Sequence, residues 1–243
     1  SAIRNGNNGS GVLCVLGNYG GDVMNFEMAC EIVKSEGIET KMIIVSDDIA
    51  SASNEDKLKR RGIAGLIFAF KIAGASSENG ASLEEVYDLT LKANNNLRTI
   101  GVAVSSCILP EVGKPTFELE NDEIEIGMGI HGEPGIKREK LRKANLIVDD
   151  LCKIIFEDFE LSNSDKVSIM INSLGATPLE ELYIVSKRVN EIFSKKEVEI
   201  VKSYVGRYAT SLEMAGMSIS ILKLDNDLKK ALLDHSECPF WIN

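Results

Sequence analysis

Two short apolar runs, GVLCVL at residues 11–16 and TKMIIV at residues 40–45, flank a stretch of helical period, and this arrangement restricts the fold more than any other feature of the chain. Each run is continuous rather than alternating, the pattern of a strand covered on both faces. The first stops at Gly17. Asp22 then precedes a segment in which Val23, Phe26, Met28, Ile32 and Val33 recur at helical spacing, until Gly37 supplies a stop. Strand, helix and strand in such close succession read as parallel strands joined by a right-handed crossover.

The pattern continues downstream. Residues 60–80 read as an apolar helix carrying small residues, and residues 82–96 as a second helix opened by a capping box of Ser82 and Glu85. Further strands are expected at residues 98–108, 124–130, 166–172, 197–204 and 218–225, with helices at 140–156 and 178–194. The fold class is α/β: two α/β domains with mostly parallel or mixed sheets flanked by helices. Residues 1–96 would be the remainder of a first domain. Residues 97–243 would form a second, whose C-terminal strand is free to return to the first.

Composition narrows the function classes. A net charge of −10 argues against a nucleic-acid partner, because phosphate binding needs clustered Lys and Arg. The acidic run at residues 118–125 and the basic run at 137–143 read as solvated faces. Five scattered cysteines without a CxxC pair fit free thiols in a reducing compartment. No apolar run approaches the roughly 20 residues a spanning helix needs. The expectation is therefore a cytoplasmic protein with no membrane partner.

In open α/β sheets ligands bind beyond the carboxyl ends of the strands, which singles out four loops: GNYGGD (17–22), SDD (46–48), GIHGEPG (129–135) and NSLGATP (172–178). Asp22 suits a helix N-cap, or a general base for a substrate hydroxyl. Asp47 and Asp48 are carboxylates able to hold Mg²⁺, although a solvated strand end accounts for them more simply. Thr177 is placed to cap a helix that Pro178 begins. His131, one of only two histidines, sits among Gly129, Gly132, Pro134 and Gly135, where it is presented rather than packed. A neutral imidazole there is a competent nucleophile toward a carbonyl carbon, with Glu133 close enough to orient the ring. His131 and His235 lie too far apart in sequence, and without neighbouring His or Cys, to suggest a metal site.

Six blocks in order, NYGGDVMNFEMA (18–29), RRGIAG (60–65), GKPTFEL (113–119), GIHGEPGI (129–136), NSLGATPLEELY (172–183) and TSLEMAGMSISILKLD (210–225), resemble the K subunit of dihydroxyacetone kinases of the phosphotransferase-system type. The resemblance implies that His131 binds dihydroxyacetone, or a related triose or tetrose, as a covalent hemiaminal. It implies that Asp22 bonds the terminal hydroxyl and takes its proton, with Gly21 beside it in the substrate site. It implies no cofactor on this chain, with ADP or ATP and Mg on a partner L subunit, an M subunit that rephosphorylates the nucleotide, and a homodimer.

Two departures accompany it. Family members carry an upstream Gly-rich segment with a further histidine that has no counterpart here, so the chain is expected to lack that N-terminal segment and to show weak or no kinase activity alone. Gly17 and Gly20 stand where family members acting on dihydroxyacetone usually read KNYTGD or KNYSGD, which removes a lysine from the neighbourhood of the substrate. The alternative function is a non-catalytic ketone-binding paralogue that acts as a transcriptional coactivator or sensor.

Overall fold

A computed structural model describes residues 1–111, 113–238 and 241–242. In chain order the elements are α1 (Ala2–Gly6), β1 (Val12–Gly17), α2 (Gly20–Lys34), β2 (Thr40–Val45), α3 (Leu66–Glu78), α4 (Leu83–Asn95), β3 (Leu97–Ala103), β4 (Glu123–Ile126), β5 (Lys137–Lys140), α5 (Ala144–Asp158), β6 (Lys166–Ser173), α6 (Leu179–Lys195), β7 (Glu199–Gly206), β8 (Gly216–Leu224), α7 (Asn226–Leu233), β9 (Glu237–Cys238) and β10 (Trp241–Ile242). The expected crossover is present: β1 and β2 pair in parallel, Val12 opposite Thr40, with α2 between them in sequence. The capping box also forms, with Ser82 accepting from the Glu85 amide and the Glu85 carboxylate accepting from the Ser82 amide.

The larger sheet has six strands in the order β5-β4-β3-β8-β6-β7. It is mixed: β6 and β7 run parallel, while β3, β4, β5, β6 and β8 make antiparallel ladders. The late strand β8 lies at its centre, paired to β3 on one side and β6 on the other. Alternation along these strands sends side chains to two cores. Val167, Ile169, Ile171, Ile219 and Ile221 meet Leu151, Ile155, Val189 and Phe193 of α5 and α6. Met170 and Leu222 meet Phe68, Ile72 and Leu232 of α3 and α7 on the other face. The buried strands β3, β6 and β8, sandwiched by helices, carry most of this core.

The two sheets are joined through backbone. Beyond β2, the Thr99 amide donates to the Asp47 carbonyl and the Ile49 amide to the Thr99 carbonyl, so residues 47–49 run along the edge of β3. A buried ion-pair cluster holds the following segment in place: Arg60 pairs with Asp158 at the end of α5, and Arg98 Nε lies 2.5 Å from the other Asp158 oxygen.

Several local expectations are corrected. The helix expected from residue 60 begins at Leu66, because residues 60–65 are spent crossing between the sheets. The basic run is split: residues 137–140 form β5, whose exposed Lys and Arg blunt a sheet edge, and α5 starts only at Ala144. The acidic run is not wholly solvated, since Glu125 is buried against Arg138 and the Gly135 amide. Thr177 does not cap α6; its hydroxyl accepts from the Gly216 amide of β8, and Pro178 takes the N-cap position without a side-chain bond. Helix α2 packs only lightly, with Val33 its one buried side chain and Met24, Met28 and Ile32 more than half exposed.

Candidate functional site

The site forms where the loop after β1 meets the loop after β4. The first loop is tied down by Asn18, whose Nδ2 donates to the carbonyls of Leu58 at 2.9 Å and Arg60 at 2.8 Å. Tyr19 is the N-cap of α2, with extended backbone and no side-chain cap bond. Asp22 therefore lies inside the first turn rather than at the cap expected for it, exposed and close to the positive end of the helix dipole. Gly21 precedes it on the same exposed turn.

The second loop folds tightly on itself. The Gly129 amide donates to the Glu133 carbonyl at 3.1 Å and the Gly132 amide to the Gly129 carbonyl at 3.3 Å. Two glycines are structurally required. Gly132 has φ of +90°, a conformation that L side chains rarely adopt, and it turns against Thr116 and Phe117. A Cβ on Gly129 would lie 2.1 Å from Glu133 Oε2 and 2.6 Å from Arg61 Nη1, so the missing side chain is the space those two groups occupy. Ile130 anchors the loop from below, packing on the cluster of Met128, Cys107, Leu174 and Met214.

His131 sits at the tip with 60% of its side chain exposed. Its Nδ1 is 3.0 Å from Glu133 Oε1, and the other oxygen of the same carboxylate accepts the His131 amide. The Tyr19 ring meets the imidazole edge-on at a centroid separation of 4.9 Å. Among the described residues the Nε2 atom has no protein hydrogen-bond partner. The hydrogen bond to Glu133 raises the His131 pKa above its ordinary value, and the carboxylates of Glu133 and Asp22 add to this against burial and Arg61. Burial works against ionised Glu133, yet the bonds from the His131 ring and amide bring it down to about 2. The influence of Asp22 on His131 sets the two candidate residues in one electrostatic neighbourhood.

Residues 1–240 match the family described as the Dak1 domain. The chain belongs to that family. A similar relative is the Listeria innocua protein named PTS-dependent dihydroxyacetone kinase 1, dihydroxyacetone-binding subunit DhaK, 46% identical over 225 residues that cover 93% of this chain and 68% of that protein. Another is L-erythrulose 1-kinase of Mycolicibacterium smegmatis, 39% identical over 99% of this chain and 43% of that protein. Among solved structures, the dihydroxyacetone kinase operon co-activator Dha-DhaQ superposes with a TM-score of 0.90 at 30% identity, over 96% of this chain and 73% of that one.

Of the four loops singled out in the sequence, this Dak1 domain brings two together at the surface and places the others beneath. Asp47 and Asp48 are fully buried, contrary to the solvated strand end expected. The Asp47 oxygens accept the Ile63 amide at 2.8 Å and the Gly65 amide at 2.7 Å, while Asp48 Oδ2 pairs with Arg61 at 2.7 Å. Burial raises both carboxyls, Asp48 to about 6 with Arg61 opposing the shift. These oxygens are committed to the fold and do not form the Mg²⁺ site considered for them. In the fourth loop Asn172 accepts from the amides of Tyr208 and Ala209, bracing the chain between β7 and β8.

Two neighbours of His131 were not foreseen. Tyr19 has a buried hydroxyl without a hydrogen-bond partner, its pKa raised by burial and by Glu133. Arg61 reaches from the crossing segment to Asp48, Gly127 and Glu133 at once. The signal for Arg61 was present in RRGIAG, two arginines leading directly into an apolar stretch. Among the described residues no helix is long and apolar enough to cross a membrane.

Proposed function

We propose that this Dak1 domain binds dihydroxyacetone, or a related triose or tetrose, as a hemiaminal on His131 and presents it for phosphorylation. The observation that carries the reading is the exposed His131 ring, bound at Nδ1 by Glu133 and open at Nε2. The Nε2 lone pair adds to the carbonyl carbon while the C=O π pair moves to oxygen, which takes up a proton. The Nδ1 proton is released in exchange, so the adduct is neutral overall. Glu133 stabilises the positive charge that develops on the ring during the attack, a fixed carboxylate aimed at charge as it forms. A reversible bond of this kind selects a ketone over glycerol, which has no carbonyl carbon to attack.

Asp22 then bonds the terminal hydroxyl and accepts its proton as that oxygen attacks phosphorus, with Gly21 leaving room beside it. With the acceptor held in place, transfer is largely a matter of positioning. The nucleotide, ADP or ATP with Mg, sits on a partner L subunit that an M subunit rephosphorylates, and the chain works as a homodimer. The name of the Listeria relative supports a dihydroxyacetone-binding subunit, and that of the Mycolicibacterium relative supports a four-carbon ketose as the alternative substrate.

The test is carbon-13 NMR of dihydroxyacetone labelled at its central carbon. The labelled signal leaves the carbonyl region in the presence of the protein and stays there with His131→Ala. A ketone signal unaffected by the wild-type chain would overturn the proposal. A second reading, a ketone sensor that assists transcription, is favoured by the likeness to a solved co-activator and by Gly17 in the place of a lysine. Adduct formation without phosphorylation in the presence of L and M subunits would select it.

A further inference from the structure

We infer that Arg61 is a positioning residue: pinned between the two sheets, it holds the Glu133 carboxylate against Nδ1 of His131 and so selects the ring tautomer whose Nε2 lone pair faces outward. The inference deepens the proposed function, and its consequence for ketone capture rests on that reading.

Arg61 is fixed at every point. Its carbonyl accepts the Asp48 amide at 3.1 Å, and its amide donates to Ser51 Oγ at 2.9 Å. Its guanidinium donates through Nε to Asp48 Oδ2 at 2.8 Å and through Nη2 to the Gly127 carbonyl at 2.9 Å. Only Nη1 remains, and it faces Glu133 Oε2 at 3.9 Å. A planar guanidinium with two arms held has no freedom in the third. That oxygen of Glu133 also accepts the His131 amide, so it is held by backbone and faces an immobilised cation. The other oxygen is thereby turned to the imidazole, where an ionised carboxylate accepts from Nδ1–H and makes Nε2 the nitrogen with the lone pair. Left to itself in water, a histidine side chain prefers the opposite tautomer, with the proton on Nε2.

The charged and titratable groups that face His131 are Glu133 on its own loop, Asp22 on α2, Arg61 on the crossing segment with Asp48 behind it, and Tyr19 after β1. Two roles for Arg61 predict opposite signs. As a bystander cation it only lowers the His131 pKa, and removing it raises that pKa. As a positioning group it keeps Glu133 in contact, and removing it frees the carboxylate, so the His131 pKa falls toward the ordinary histidine value.

The experiment is nitrogen-15 NMR of the two histidine rings in the full chain, with His131→Ala for assignment and Arg61→Gln as the variant. The expected result is a wild-type ring protonated at Nδ1, and in Arg61→Gln a loss of that dominance together with a lower His131 pKa. A raised or unchanged pKa with the tautomer intact overturns the inference. If Arg61→Gln does not fold because Asp48 is left buried and unpaired, Asp48→Asn/Arg61→Gln removes both charges, and the same two outcomes decide. The measurement needs no ketone: a tautomer shift with no wild-type adduct retains the inference and removes the hemiaminal reading, and an adduct with an indifferent tautomer does the reverse.

Discussion

Glu133 reaches back two residues to place its Oε1 3.0 Å from Nδ1 of His131, while its Oε2 takes the His131 amide. One carboxylate thus holds both the ring and the backbone of the same residue. The consequences are measurable at the level of single substitutions.

Replacing Glu133 with Gln keeps the shape and removes the charge. The hydrogen bond to a charged group contributes about 1.5–3 kcal/mol where buried, and the exposure of this ring moves the effect to the low end. Ketone capture in Glu133→Gln is expected to weaken about tenfold, read from the labelled-carbon titration, with a fall in the thermal melt from loss of the charged pair. An undiminished adduct would show that the carboxylate does not assist the attack.

The pH dependence has opposite signs for capture and for stability. In the proposed reaction only the neutral ring attacks, and Glu133 raises the His131 pKa above its ordinary 6.5, so adduct formation is expected to rise with pH through that elevated value. The pair stabilises the fold in the other sense. The contribution of His131 is full below its unfolded pKa of about 6.5 and is lost as pH climbs through the folded value. The contribution of Glu133 is present above its unfolded value of about 4.3 and is lost as pH falls toward about 2. Parallel adduct and denaturation titrations across the histidine range should diverge; parallel curves would refute the assignment.

Asp22→Asn separates the two halves of the proposed reaction. The adduct on His131 is expected to form, because Asp22 lies in the first turn of α2 and, among the described residues, makes no hydrogen bond or ion pair to the 129–135 loop. Phosphoryl transfer with the partner subunits present is expected to fall by about 10²–10⁴, the usual contribution of a general base. Loss of the adduct itself would show that capture on His131 depends on the bond from Asp22 to the hydroxyl.

Asp158→Asn probes the frame beneath the site. Asp158 answers two buried guanidiniums, Arg60 and Arg98, and neutralising it strands both. Breaking such a buried pair costs about 3–5 kcal/mol. A clear fall in the urea midpoint is expected, and a shift within error would mean that water reaches the cluster.

The sequence disclosed those parts of the fold that are local. The β1–α2–β2 crossover and the capping box at Ser82 follow from periodicity and from contacts three residues apart, and both are present. His131 was legible because a histidine among glycines has nothing to pack against, and it is indeed exposed. What could not be read is what depends on distant partners. Asp47 and Asp48 look like a solvated strand end until the amides of Ile63 and Gly65 and the Arg61 guanidinium arrive to bury them. Thr177 looks like a cap until β8 offers the Gly216 amide. The short strand β5 was hidden for a different reason: a run of Lys, Arg and Glu has no apolar face, and its pairing with β4 through backbone leaves no trace in side-chain period.

The strip of backbone at residues 47–49 that continues β2 along the edge of β3 gives the site the character of a calliper. One jaw, Asp22, is carried by the small sheet; the other, His131, by the large one. The strip ties the sheet that carries α2 to the sheet that carries the 129–135 loop, so in the proposed function it bears on the gap between the two residues. In that proposal a ketose would then be gauged by the distance from its carbonyl carbon to the hydroxyl that receives phosphate, and carbon atoms on the far side of the carbonyl would pass unmeasured.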